Sequence, residues 1–169
     1  GKPDKMKCAI GAAEQMFALD TAKADTLNLQ ALLYATSQEP VDTARYIKWA
    51  QFATKKYPTN ATMLTELVKA YGIAGPLDSL VAVTSRLMVL DTTAVAPALA
   101  AAKALAEQKR VAESLIFADF VIKHGDEQAR EAAAAVLTNS ALPLLQAEAK
   151  NLPLAADVLR RAVAAAKAS

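Results

Sequence analysis

The chain has 169 residues, nine of them aromatic and five glycine, and alanine supplies about a quarter of the whole. Nineteen basic against seventeen acidic side chains leave a formal charge of +2, too balanced for a nucleic-acid surface. One cysteine, Cys8, excludes an intrachain disulfide framework, and together with one histidine, His124, it excludes the usual four-ligand zinc site.

No apolar run approaches the ~20 residues of a membrane-spanning helix, so membrane insertion is not expected. No secretory leader is legible, and the compartment stays unknown. Apolar residues recur at helical spacing along almost the whole chain, and strand-like alternation is missing. Nine helices are therefore predicted, over about 4–20, 24–37, 41–57, 60–74, 76–91, 94–108, 110–124, 127–149 and 153–167. On the first helix, Cys8 lies near Ala9, Ala12 and Ala13 and reads as a small buried hydrophobe, not a reactive thiol. Pro40 suits the first turn of the third helix, whose Tyr46, Trp49 and Ala53 share one face while Phe52 points elsewhere. Thr59 or Asn60 is the natural cap of the fourth helix, and Gly75 is expected to end it in the left-handed conformation, with Pro76 opening the fifth.

The fifth and seventh helices are apolar nearly all round, so either the superhelix is tight or something covers residues such as Val83, Val89 and Phe120. His124 ends the seventh helix. With no second histidine and no serine or cysteine close in sequence, it reads as a cation favoured by the helix dipole, not as a base. Asp126 caps the eighth helix, where Pro143 should produce a kink or a split near Asn139 and Ser140. The ninth helix places Ala155, Val158, Leu159, Ala162, Val163 and Ala166 on one stripe, with Asp157, Arg160, Arg161 and Lys167 facing away, as the end of a stack requires. The basic residues Lys150, Arg160, Arg161 and Lys167 are too interleaved with acid to argue for a membrane surface.

Helix pairs repeat. A shift of 34 residues lays 95–128 on 61–94 without a gap, placing Lys103 on Lys69 and Val121 on Leu87. Residues 24–60 form the same unit with a short insertion, 4–23 a partial one, and 129–169 a divergent unit with its cap, all in one domain, 1–169. Leu64, Leu67, Tyr71, Gly75, Leu77 and the pair Leu90-Asp91 resemble a tetratricopeptide repeat, and Leu27, Tyr34 and Tyr57-Pro58 follow the same spacing one unit earlier. Unit 95–128 departs from the family pattern with Lys109 where the turn glycine belongs. The resemblance implies an all-α, right-handed solenoid of helical hairpins, whose first helices line a concave groove that takes an extended peptide.

No glycine-rich phosphate loop, nucleophile elbow or carboxylate cage is legible, so neither an enzyme nor a cofactor is expected. The expectation is a non-catalytic module that binds another polypeptide. Its tentative groove residues are Asn28, Thr62, Thr65, Lys69 and Lys103, basic at the centre and apolar toward Leu32, Ala133 and Leu137. The alternative is a structural or oligomerisation domain of a larger protein, packing through the apolar outer helices on a neighbour or a second copy.

Overall fold

The computed structural model describes residues 2–146 and 151–167; Lys150 lies outside them. Among the described residues the chain is all-helical: α1 (Lys2–Leu19), a short 3-10 turn (Thr21–Lys23), α2 (Thr26–Ser37), α3 (Thr43–Lys56), α4 (Ala61–Ala74), α5 (Leu77–Leu90), α6 (Val95–Glu107), α7 (Val111–His124), α8 (Glu127–Gln146) and α9 (Leu152–Lys167). None of these helices is long and apolar enough to cross a membrane.

Side-chain caps start many of them. Asp25, Asp42, Asn60, Asp126 and Asn151 each accept the backbone N–H three residues on, at 2.8–3.2 Å, which satisfies an amide the helix leaves open. Pro40 therefore lies ahead of α3 and not in its first turn, because Asp42 takes the cap. α6 and α7 begin without a side-chain cap.

The turns exchange the roles that the sequence suggests for them. Gly75 is extended (φ −93°, ψ 163°), not left-handed. What requires a glycine there is proximity, since a Cβ would run into the Tyr71 ring and backbone. Lys109 is the left-handed residue, at φ 61°. It closes α6 with Lys109 N–H donating to the Ala106 carbonyl and Arg110 N–H to the Leu105 carbonyl, both at 2.9 Å, the paired closure that normally selects glycine. Pro143 does not split α8, which runs through it.

The chain divides into two compact units, Gly1–Pro76 and Leu77–Ser169, and the boundary falls inside the repeat drawn over 61–94. In the first unit α2 packs on α3, α3 on α4, and α2 also on α4. Leu29 and Leu33 of α2, Tyr46, Ala50 and Ala53 of α3, and Met63 and Leu64 of α4 are closed to solvent, and Leu67 and Trp49 nearly so. In the second unit each helix from α5 to α9 packs on the next, and α6 meets α8 as α7 meets α9. Its core joins Leu105, Phe117, Val121, Leu137 and Val158 to fully buried alanines such as Ala98, Ala101, Ala102, Ala118 and Ala133.

Several expectations change on packing. Cys8 is exposed. Leu27 and Tyr34 face solvent, at 73% and 65% exposure, although their counterparts Leu64 and Tyr71 are buried and half-buried. Val83 is core while Val89 is 85% exposed, and Phe120 is half-buried against the His124 ring at 4.6 Å. The stripe of α9 is narrower than expected: Val158 and Ala162 are buried, but Val163 and Ala166 are not. Arg161 does not face away; it pairs with Asp157 and reaches Asp119 on α7.

Candidate functional site

Within the first unit, α2 and α4 flank a concavity of about 360 Å³. Gln30, Tyr34 and Ser37 come from α2, and Thr62, Glu66, Lys69 and Ile73 come from α4. Helical spacing puts each set on one stripe, because residues three or four apart lie one above another on a helix face. Tyr46 of α3 also lines it, donating its hydroxyl to Glu66 Oε2 at 2.6 Å. Lys69 Nζ donates to Glu66 Oε1 at 2.7 Å, so both carboxylate oxygens are engaged.

Burial raises the Tyr46 phenol well above its usual range, and the hydrogen bond to Glu66 and that carboxylate's charge raise it further. Tyr46 is thus a neutral donor that holds Glu66. Lys69 is mostly exposed and keeps two further ammonium donors for a ligand. Tyr34 and Ile73, at 65% and 52% exposure, add apolar area beside these polar groups.

Two of the residues singled out from the sequence, Thr62 and Lys69, meet in this pocket. Asn28 turns back to cap the preceding turn, with Nδ2 on the Lys23 carbonyl at 2.8 Å. Thr65 donates to its own helix, at the Ala61 carbonyl. Lys103 belongs to the second unit, where it lines a separate cavity beside Asn139 and Pro143. Leu32, Ala133 and Leu137 are buried and so lie in the core instead of forming apolar groove ends.

Sequence reasoning missed Tyr34, Tyr46 and Glu66 as members of the site. The Glu66–Lys69 spacing was readable as a helix-surface pair, but the bond from Tyr46 to Glu66 spans 20 residues and depends on how α3 packs on α4.

A second polar cluster of the same unit serves the packing of α1 on α3. Trp49 Nε1 donates to Glu14 at 2.6 Å, Phe17 and Phe52 meet the indole edge-on, and Lys48 lies 5.0 Å from its centre. In the second unit Arg110 is held by Asp78 and Glu113. That holds its guanidinium protonated and lowers the Glu113 carboxyl, chiefly through their shared hydrogen bonds. Among the described residues no three His, Cys, Asp or Glu side chains converge as a metal site would require.

These features define an all-α protein of packed neighbouring helices with a polar and apolar concavity between α2 and α4. No protein-family model matches the chain, and no curated protein matches it in sequence.

Proposed function

We propose that the protein is a non-catalytic polypeptide-binding module built of tetratricopeptide-like helical hairpins. The observation that carries this reading is the α2–α4 concavity, where exposed Tyr34 and Ile73 stand beside the solvated donors Thr62 and Lys69. An aromatic ring flanked by hydrogen-bonding groups is the usual composition of a binding hot spot. The order of packing supports the repeat reading, since in each unit successive helices pack together and alternate helices touch. Glu66, with both oxygens engaged, positions Lys69 for a partner's carbonyl or carboxylate.

The test is a peptide-array screen with the whole chain, followed by calorimetry on the strongest peptide. Tyr34→Ala is expected to weaken binding by ≥ 2 kcal/mol if Tyr34 is such an anchor, with circular dichroism unchanged because the side chain is exposed. An array with no retained peptide, or equal affinity for the native chain and Tyr34→Ala, overturns this reading.

The alternative, self-association through the outer helices, is favoured by Val89 and Ile116, which stand 85% and 61% exposed on α5 and α7. Sedimentation separates the two. A dimer that Val89→Glu converts to monomer supports self-association, and a monomer at all concentrations removes it.

A further inference from the structure

The second unit contains a cavity of about 460 Å³ where the end of α6 faces the second half of α8. Val136 and Leu144 form part of an aliphatic wall, and Lys103 and Lys109 are the cations that line it. Three features of this cavity go beyond packing.

The first is an acceptor without its helical donor. In an α-helix the carbonyl of residue 139 accepts from the amide of residue 143, but that residue is Pro143, which has no N–H. The Asn139 carbonyl lies on the stripe joining these two residues, and both line the cavity. Asn139 and Pro143 are exposed, so this carbonyl stands open to a ligand N–H in exchange for water.

The second is uncompensated charge. Among the described residues neither Lys103 nor Lys109 pairs with a carboxylate, whereas neighbouring Arg110 is held by Asp78 and Glu113. Glu107 is the one acid among the lining residues, so the cavity is net basic.

The third is conformational. Lys109 sits at φ 61°, where glycine is the residue that the backbone favours and a side chain costs stability. The chain nevertheless places a charged side chain there, on the cavity wall. That closure of α6 is what sets Lys109 on the cavity wall.

We propose that the α6–α8 cavity docks a polypeptide segment in which an acidic residue adjoins an aliphatic one. The aliphatic side chain packs on Val136 and Leu144, the carboxylate meets Lys103 and Lys109, and a segment amide donates to the Asn139 carbonyl. The site shares no residue with the α2–α4 pocket and does not depend on it.

The test is fluorescence anisotropy on the whole chain with a short, end-blocked peptide of alternating aspartate and leucine. An alternating lysine–leucine peptide is the comparator and octanoate the competitor. The acidic peptide is expected to bind and the basic one not. Lys103→Glu with Lys109→Glu should weaken binding at least about tenfold, the scale of reversing paired interface charges.

Lys109→Gly should raise the melting temperature, by relieving the left-handed strain, while weakening binding about threefold through loss of one cation. Because this variant is expected to be the more stable protein, it keeps the test readable if the double charge reversal unfolds. Lys55→Glu, at an exposed lysine that lines neither pocket, should leave this affinity unchanged, which separates binding at this cavity from general charge attraction. Equal affinity for both peptides, undiminished binding by Lys109→Gly, or complete displacement by octanoate would overturn the proposal.

Discussion

Between α1, α3 and α4 the side chains that fill the core are large, and several end in a polar atom. Between α6, α7 and α8 many are alanine. The first region is positioned by directional bonds: Tyr46 to Glu66, Trp49 to Glu14, and Lys56 Nζ to the Thr21 and Ala24 carbonyls at 2.6 and 3.0 Å. The second is positioned by close approach. Ser114 of α7 is fully buried and donates across to the Ala102 carbonyl of α6 at 2.8 Å, reaching that carbonyl directly because only a methyl group stands on Ala102. One helical architecture thus rests on two kinds of specificity, and they should fail differently. The tethered region is sensitive to lost polar atoms, and the alanine region to added volume.

The largest effect is expected at Phe117, 1% exposed among those alanines. Small neighbours cannot collapse into the space it leaves, so Phe117→Ala should cost ~3–5 kcal/mol in denaturant titration. A loss under about 1 kcal/mol would mean that the alanine region repacks freely, against the rigidity argued for it.

Ala102→Leu reads the same contrast from the opposite side. Three added carbons between α6 and α7 should cost ~1–3 kcal/mol and break the Ser114 bond to α6. Tolerance of the leucine with unchanged stability would sink the close-approach account.

The smallest effect belongs to the tethered region. Tyr46→Phe removes the donor to Glu66 Oε2 and should cost about 1 kcal/mol, because partial exposure of Glu66 lets water replace the bond.

The same tether has a pH signature. The folded Tyr46 phenol titrates above the ordinary tyrosine value of 10.0, so as pH rises the unfolded chain ionises first. This contribution to stability is complete below pH 10.0 and declines as pH climbs above it. A near-ultraviolet alkaline titration should therefore find a component that resists ionisation until the chain unfolds, and Tyr46→Phe should abolish that component. A native titration without that resistant component would refute the buried tether.

The sequence by itself determined the helices, their order and their breaks, because a helix's periodicity, caps and stops are local properties. Asn60 and Asp126 cap the helices expected of them, and α3 buries the face carrying Tyr46, Trp49 and Ala53. Leu64 and Leu67 are buried for the same reason, since the polar residues of α4 leave one stripe to choose. Where a helix is apolar on more than one side, the pattern stops deciding. α2 carries Leu27, Leu29, Leu32, Leu33 and Tyr34, and only its packing on α3 and α4 selects the leucines at 29, 32 and 33 and leaves Leu27 and Tyr34 in water. α5 likewise buries Val83 and exposes Val89. The turns were misassigned because the path into the next helix, not the residue alone, sets their backbone. Gly75 is extended where a side chain would strike Tyr71, and Lys109 takes the left-handed position that closes α6. Of the tentative groove residues only Thr62 and Lys69 share a pocket, and Tyr46 and Glu66 join them through a bond across 20 residues. Helices are written in neighbours three and four apart. Which faces meet, and so which polar groups converge on a site, depends on contacts between residues far apart in sequence, and only the tertiary structure supplies those.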